Sequence, residues 1–316
     1  MRYRKLGSTG ESVSVVGMGT WQFGGEWGKA FEQSEVNDMF VAAREVGITL
    51  IDTAECYGDH LSEQFIGRAL EETFPGERDT WFIATKFGHK YNVPFERDQI
   101  WDADGVAKQV EDSLIALRTD YVDLLQFHSG SDEVFDNDAL WERLARLKEQ
   151  GKVRYIGISI GSNTNDYQTG KAPVVGAEAI QVVYNRLDTA PEEKVLPLCR
   201  EHNLGVLARV PLASGYLSGK YKPGATFDSS DVRSRHDRET VERRLNEVQR
   251  IATEEVPESV PMAQWALAWC LSNPAVTTVI PGCKNVEQVR SNARAADLAG
   301  ISRGTDGTTD ETGLTH

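Results

Sequence analysis

Residues 106–128 read VAKQVEDSLIALRTDYVDLLQFH, and two hydrophobic periods follow one another within them. Val106, Val110, Leu114 and Leu117 recur at intervals of three and four, which places them on one helical face, whereas Val122–His128 is a short, largely apolar run of strand length. A helix between two strands lets the strands lie side by side in parallel, so the fold turns on whether this unit repeats. Working outward, further strand candidates stand at Val16–Thr20, Ile48–Asp52, Trp81–Lys86, Val153–Ser159, Ala179–Tyr184, Gly205–Arg209 and Val276–Ile280, making eight with the first. Helical stretches separate them, one carrying Leu140, Leu144 and Leu147 on a single face. The alternation predicts an α/β fold, a (β/α)8 TIM barrel covered by helices from outside.

Punctuation supports this reading. Thr189 and Glu192 predict a capping box with Pro191 in the first turn, and Asn273-Pro274 ends the helix that Pro261 begins. Ahead of the barrel, Arg2–Leu6 and Ser12–Val15 flank Gly7-Ser-Thr-Gly10 and predict a β-hairpin closing the bottom. Pro223–Asp237 is polar without apolar period and is expected to be a mobile loop; residues 300–316 have the same character and are expected to be a disordered tail. No linker or shift of composition divides the middle, so residues 1–299 are expected to form one barrel domain.

With 316 residues and 40% apolar content, the chain can bury one large core. A formal net charge of -14 argues against a nucleic-acid partner, and any anionic ligand must meet a local basic pocket. No apolar run is long enough to cross a membrane, and the start, MRYRKLGSTG, lacks the apolar stretch of a secretory signal, so a cytoplasmic protein with no membrane partner is expected. Cys56, Cys199, Cys270 and Cys283 show neither CxxC nor His-spaced patterning, which points to reduced thiols and no metal site.

Asp52, Lys86 and His128 end three successive strand candidates, and Tyr57 follows Asp52 in the same connection. In a barrel of this kind such positions converge at the carboxyl-terminal mouth. Singly, each has a structural explanation: a turn cap, a solvated strand end, a packed histidine, a loop anchor. Together they suit acid–base work. A phenol titrates near ~10, and a neighbouring ammonium is expected to lower that value. Tyr57 beside Lys86 would then protonate a developing alkoxide, Asp52 would keep Lys86 charged, and His128 would hold the carbonyl oxygen toward a nicotinamide. The same residues allow a lyase in which Lys86 forms a Schiff base. No GxGxxG follows a strand, so a dinucleotide would lie extended across the barrel mouth.

The motifs resemble the aldo-keto reductase family, bacterial NADPH-dependent type, from the hairpin to about residue 298. The resemblance rests on Gly17-Met-Gly-Thr-Trp21 with Gly24-Gly25, on Ile51-Asp-Thr-Ala-Glu-Cys-Tyr-Gly58 with Ser62-Glu63, on Thr85-Lys86, and on Leu117-Arg-Thr-Asp-Tyr-Val-Asp-Leu124 through His128. It implies an oxidoreductase with the catalytic tetrad Asp52, Tyr57, Lys86 and His128, reducing a small aldehyde or ketone with NADPH; NADH is the less expected cofactor. It also implies cofactor contacts. Gly19, Thr20, Trp21 and Asp52 stand at the first strands, and Ser159 and Gln181 match residues that hold the nicotinamide amide, with Ile160 where relatives often carry Asn. Arg209, Val210, Pro211, Leu212, Ala213, Ser214, Gly215 and Lys220 resemble the strand and loop beside the ring and pyrophosphate. Gly282, Lys284, Gln288 and Asn292 resemble the adenosine-phosphate site, with Ser291 where relatives often carry Glu. Arg209 replaces a common aromatic residue, and a cation there is expected to favour the reduced cofactor. The resemblance leaves open an NAD-dependent sugar or polyol dehydrogenase, and a redox-sensing regulatory subunit similar to potassium-channel β subunits. The loops His89–Trp101 and Pro223–Asp237 are expected to set specificity, their aromatic side chains Tyr91, Phe95, Trp101 and Phe227, with Trp21 and Trp27, walling the substrate pocket. Neither the substrate nor the oligomeric state follows from these residues.

Overall fold

The computed structural model describes residues 1–298; the tail expected over 300–316 lies outside the described residues. Its strands, in chain order, are β1 (Tyr3–Lys5), β2 (Ser12–Ser14), β3 (Met18–Gly19), β4 (Leu50–Asp52), β5 (Phe82–Phe87), β6 (His89–Val93), β7 (Glu96–Gln99), β8 (Val122–His128), β9 (Val153–Ser159), β10 (Ala179–Val183), β11 (Gly205–Arg209) and β12 (Thr278–Val279). Eight form one parallel sheet in the order β3-β4-β5-β8-β9-β10-β11-β12. The ring closes through parallel bridges Val16 to Val279 and Gly19 to Gly282. There the Gly17 N–H donates to the Val279 carbonyl at 2.8 Å, and the Gly19 N–H to that of Pro281 at 3.0 Å. Isolated bridges replace a continuous ladder at this seam, which is why β3 and β12 are shorter than the sequence suggests.

Side chains on a strand alternate between faces, and here the alternation separates two cores. Leu50, Phe82, Ala84, Leu124, Ala179, Leu207 and Ile280 pack inside the ring. Ile51, Ile83, Leu125, Phe127, Ile158, Ile180 and Val206 face the helices. Helix Ala103–Leu117 shows how the outer layer is held: its four periodic residues, Val106, Val110, Leu114 and Leu117, are buried, and the Asp102 carboxylate caps it by accepting from the Gly105 N–H at 2.8 Å. Each such burial contributes roughly 1.5–3 kcal/mol.

The β1–β2 hairpin plugs the bottom as expected. Leu6 and Val13 complete the inner core with no exposed surface. Gly7 permits this approach, having φ +52° and lying where a Cβ would come within 2.2 Å of the Gly205 nitrogen.

Two local expectations differ from what is found, and one expected loop gains detail. Thr189 makes no side-chain cap: a 3-10 turn covers Ala190–Glu192, the helix begins at Val195, and the Glu192 carboxylate accepts from the Tyr184 hydroxyl at 2.5 Å. His89–Trp101, read as a loop, contains the antiparallel β6–β7 hairpin. Pro223–Asp237 ends in a built turn in which the Asp231 carboxylate and the Arg233 guanidinium form a buried ion pair at 2.6 Å. Polar residues that satisfy one another internally leave no apolar period to read.

Candidate active site

The alternation that fills the ring with Leu50, Ala84, Leu124, Ala179 and Leu207 points the residues two positions further on in the same direction. Each inward column therefore changes from apolar to polar at its upper end: Asp52 on β4, Lys86 on β5, Gln126 and His128 on β8, Gln181 on β10 and Arg209 on β11. Lys86 is 1% exposed, and its ammonium donates to Asp52 Oδ2 at 2.8 Å, to the Thr53 carbonyl at 2.7 Å and to the Tyr57 hydroxyl at 3.1 Å. Asp52 Oδ1 accepts from Gln181 Nε2 at 2.7 Å and from Gln126 Nε2 at 3.2 Å. The Tyr57 and His128 rings stand edge to face with centroids 6.4 Å apart. The four residues singled out in the sequence therefore do meet.

Tyr57 is delivered by a tight loop. Gly24 lies where a Cβ would approach the Tyr57 carbonyl carbon to 2.6 Å, and Gly58, at φ +72°, lies against Gly24 in turn. Trp21 stacks on the Tyr57 ring at 5.9 Å with 21° between planes.

Burial governs the electrostatics. It pushes the Tyr57 phenol above the usual tyrosine range despite the Lys86 ammonium, so the expectation that Lys86 would lower it is corrected: desolvating a phenolate outweighs one nearby cation that Asp52 already neutralises. Burial opposes the charge on Lys86 too, but Asp52 and Tyr57 prevail and the net direction is upward. His128 is held well below the ordinary histidine range by burial, reinforced by Lys86, His89, Arg209 and Arg97. The group is thus a neutral phenol and a neutral imidazole beside a charged ammonium. Burial pushes the Cys56 thiol up to about 12, which keeps it a thiol.

Above this layer opens a cavity of about 820 Å³. Gly19, Thr20, Trp21, Asp52, Tyr57, His128, Gln181 and Arg209 line its floor. Val210, Pro211, Leu212, Ser214, Gly215 and Lys220 line one side, and Gly282, Lys284, Gln288 and Asn292 another. Lys86 sits behind Tyr57, while Ser159 and Ala213 are 1% exposed and lie outside the lining. The turn after β11 is strained: Val210, Ala213 and Ser214 have φ of 53°, 48° and 59°. Lys284 Nζ donates to the Trp27 carbonyl at 2.5 Å. Arg209 donates to the Ile160 carbonyl at 3.2 Å, and its buried Nε, like the buried Ser159 hydroxyl, has no hydrogen-bond partner among the described residues.

Of the aromatic residues expected to wall a pocket, Trp21, Trp27 and Phe95 do so. The other three are corrected. Trp101 packs on Phe127 at 4.8 Å, Phe227 on Tyr221 at 5.2 Å, and Tyr91 lies under the Arg97 guanidinium at 5.0 Å. Sequence reasoning passed over Gln126, Glu26, His89 and Arg97. Gln126 had a readable signal, being polar at an inward position of an apolar strand. His89 packs against His128 with centroids 4.8 Å apart. Among the described residues no group of His, Cys, Asp and Glu could hold a metal ion, and no helix is long and apolar enough to cross a membrane.

Set beside known proteins, the chain matches the Aldo/keto reductase family over residues 15–302, and it belongs to that family. An uncharacterized oxidoreductase, YqkF of Bacillus subtilis (strain 168), is 35% identical over 301 residues, which span 94% of this chain and 92% of YqkF. The aldo-keto reductase yakc [NADP(+)] of Schizosaccharomyces pombe is 30% identical, over 92% of this chain and 85% of its own. Among solved structures, the holo form of aldo-keto reductase AKR11C1 from Bacillus halodurans aligns with a TM-score of 0.79 at 29% identity, covering 96% of this chain and 93% of that one. The fold is thus the (β/α)8 barrel of this oxidoreductase family, with its amino-terminal hairpin.

Proposed function

We propose that this aldo-keto reductase reduces a small aldehyde or ketone to the alcohol with NADPH, Tyr57 acting as the general acid. The observation that carries the proposal is the buried line from Asp52 through Lys86 to Tyr57, which ends beside a neutral His128 at the cavity floor. Two buried polar atoms without partners, Ser159 Oγ and Arg209 Nε, adjoin that floor and fit the amide of a nicotinamide. A bound nicotinamide supplies the hydride. The protein supplies the rest: His128 orients the carbonyl oxygen, Tyr57 gives it a proton as negative charge develops there, and Lys86 stabilises the phenolate left behind. Asp52, held by Gln126 and Gln181, keeps Lys86 in place. A lysine so held has no free lone pair for an imine, which disfavours the Schiff-base lyase.

Lys220 and Lys284 bring positive charge to the far end of the cavity, suited to the phosphates of NADPH, and a relative whose name specifies NADP(+) supports the same preference. The carbonyl end is walled by Trp21, Trp27 and Phe95 and suits a substrate with an apolar body. Four free, buried thiols fit work in the cytoplasm. The test is titration of protein fluorescence with NADPH, followed by oxidation of the bound NADPH on addition of aldehydes and ketones. Binding with turnover supports the proposal. Binding without turnover across a broad panel favours the regulatory reading, and folded protein that binds no NADPH refutes it.

A further inference from the structure

Glu26, 2% exposed, fixes the rim of the cavity at its carbonyl end. Its Oε1 accepts from the Phe95 N–H at 2.6 Å, at the tip of the β6–β7 hairpin, and its Oε2 accepts from Arg97 Nη2 at 2.6 Å and from Trp21 Nε1 at 2.9 Å. Its backbone carbonyl accepts from the Val232 N–H at 3.0 Å, which seats the 3-10 turn Val232–Arg235 beside that tip. The Arg235 guanidinium lies over the Phe95 ring, 4.5 Å from its centroid, and lines the cavity. Trp21 stacks on Tyr57. A line of contacts thus runs from the proton donor through Trp21 and Glu26 to Phe95, and it ends on a cation.

That cation is unmatched. Lys86 is paired with Asp52, Arg97 with Glu26 and Arg233 with Asp231. Arg235 has neither an ion pair nor a side-chain hydrogen bond among the described residues, although the chain carries 48 acidic residues against 34 Lys and Arg. The acids of its own segment, residues 228–237, are engaged elsewhere: Asp228 accepts from the Ser230 hydroxyl at 2.7 Å, Asp231 holds Arg233, and Asp237 caps the following helix by accepting from the Thr240 N–H at 2.8 Å. Arg235 is exposed, and contact with a ring leaves its N–H donors open to whatever enters the cavity. Lys220 and Lys284 already serve the cofactor's phosphates at the other end. A net charge of -14 repels anions at long range, so a free guanidinium beside the carbonyl end is a counter-charge that the rest of the surface does not supply.

We infer that the carbonyl substrate carries a carboxylate at the end away from its carbonyl, and that Arg235 receives it while Tyr57 and His128 hold the carbonyl, the apolar body lying along Trp21 and Phe95. This rests on the proposed NADPH-dependent reading. A planar guanidinium can donate to both carboxylate oxygens at once, which an ammonium does not match. The test compares para-carboxybenzaldehyde, meta-carboxybenzaldehyde and glutaric semialdehyde, each with its methyl ester, which keeps the body and removes the charge. In wild type, kcat/KM for at least one acid should exceed that for its ester by about tenfold, the gain lying in KM, and the advantage should shrink as salt is raised. In Arg235→Gln the acid should lose about tenfold in kcat/KM and the ester less than about threefold, and Arg235→Lys should restore part of the difference. A merely structural Arg235 would lower Tm and weaken acid and ester alike. Esters reduced by wild type as well as the acids in all three pairs, or an acid preference that survives in Arg235→Gln, would overturn this inference alone. Wild type that binds no NADPH, or oxidises none with any of these aldehydes, would overturn the reductase reading and this one with it.

Discussion

Tyr57 and Arg209 illustrate how much one side chain decides at the floor of this barrel. Among the described residues the Tyr57 side chain has one hydrogen bond, accepted by its hydroxyl from the Lys86 ammonium, so Tyr57→Phe removes a proton donor and little packing. Steady-state kinetics should show kcat reduced by roughly 10²–10⁴-fold with NADPH affinity nearly unchanged. Arg209 is a half-buried guanidinium with a backbone carbonyl as its hydrogen-bond partner. Burial pulls its pKa down while Tyr57 and Asp52 oppose, yet an arginine keeps its charge in almost any setting. A cation beside the reacting ring disfavours a positively charged oxidised nicotinamide more than the neutral reduced one. The ratio of the NADP⁺ to the NADPH dissociation constant should therefore fall in Arg209→Tyr, and an unchanged ratio in fluorescence titrations would refute this role.

The elements differ in how openly the sequence announces them. Asp52, Lys86 and His128 were legible because each ends an apolar strand, and the eight strands were legible because helical and strand periods alternate. The β6–β7 hairpin was not: its sequence, HKYNV and ERDQ, is charged and largely exposed, without the alternation that marks a half-buried strand. Glu26 was illegible for a related reason, since its partners at positions 95 and 97 are brought to it only by that hairpin. The connection after β4 carries another hidden feature. Glu55 is buried, accepts from Gln109 Nε2 at 2.9 Å, and has its pKa raised to about 8 by burial, with Glu63 and Asp59 adding and His60 and Arg97 opposing. Because the folded value lies above the unfolded one, the stability linked to this carboxyl is complete below about pH 4 and is lost as pH rises through about 8, a change on the order of 5 kcal/mol. Thermal melts should show Glu55→Gln gaining on wild type between about pH 5 and about pH 9. A constant difference across that window would exclude the linkage.

For the molecule as a whole, the inner core and the active layer share the same columns, so what holds the bottom of the ring also sets the geometry of the top. Gly7→Ala tests this from the far end. It forces an L side chain at φ +52° against the Gly205 nitrogen and should cost about 2 kcal/mol or more, seen as a lower Tm, since either the turn or the Leu6 plug must shift. The seam has a consequence for biosynthesis. Neighbouring strands in the ring follow one another in chain order except β3 and β12, which come from its opposite ends. A ribosome releases Val16 early and Val279 late. Until then the nascent sheet is an open crescent with two unpaired edges, and its inner face has no closing wall. The hazard of pairing with another chain therefore persists through most of translation, and it ends when one short stretch, the last strand of the ring, emerges and removes both edges at once.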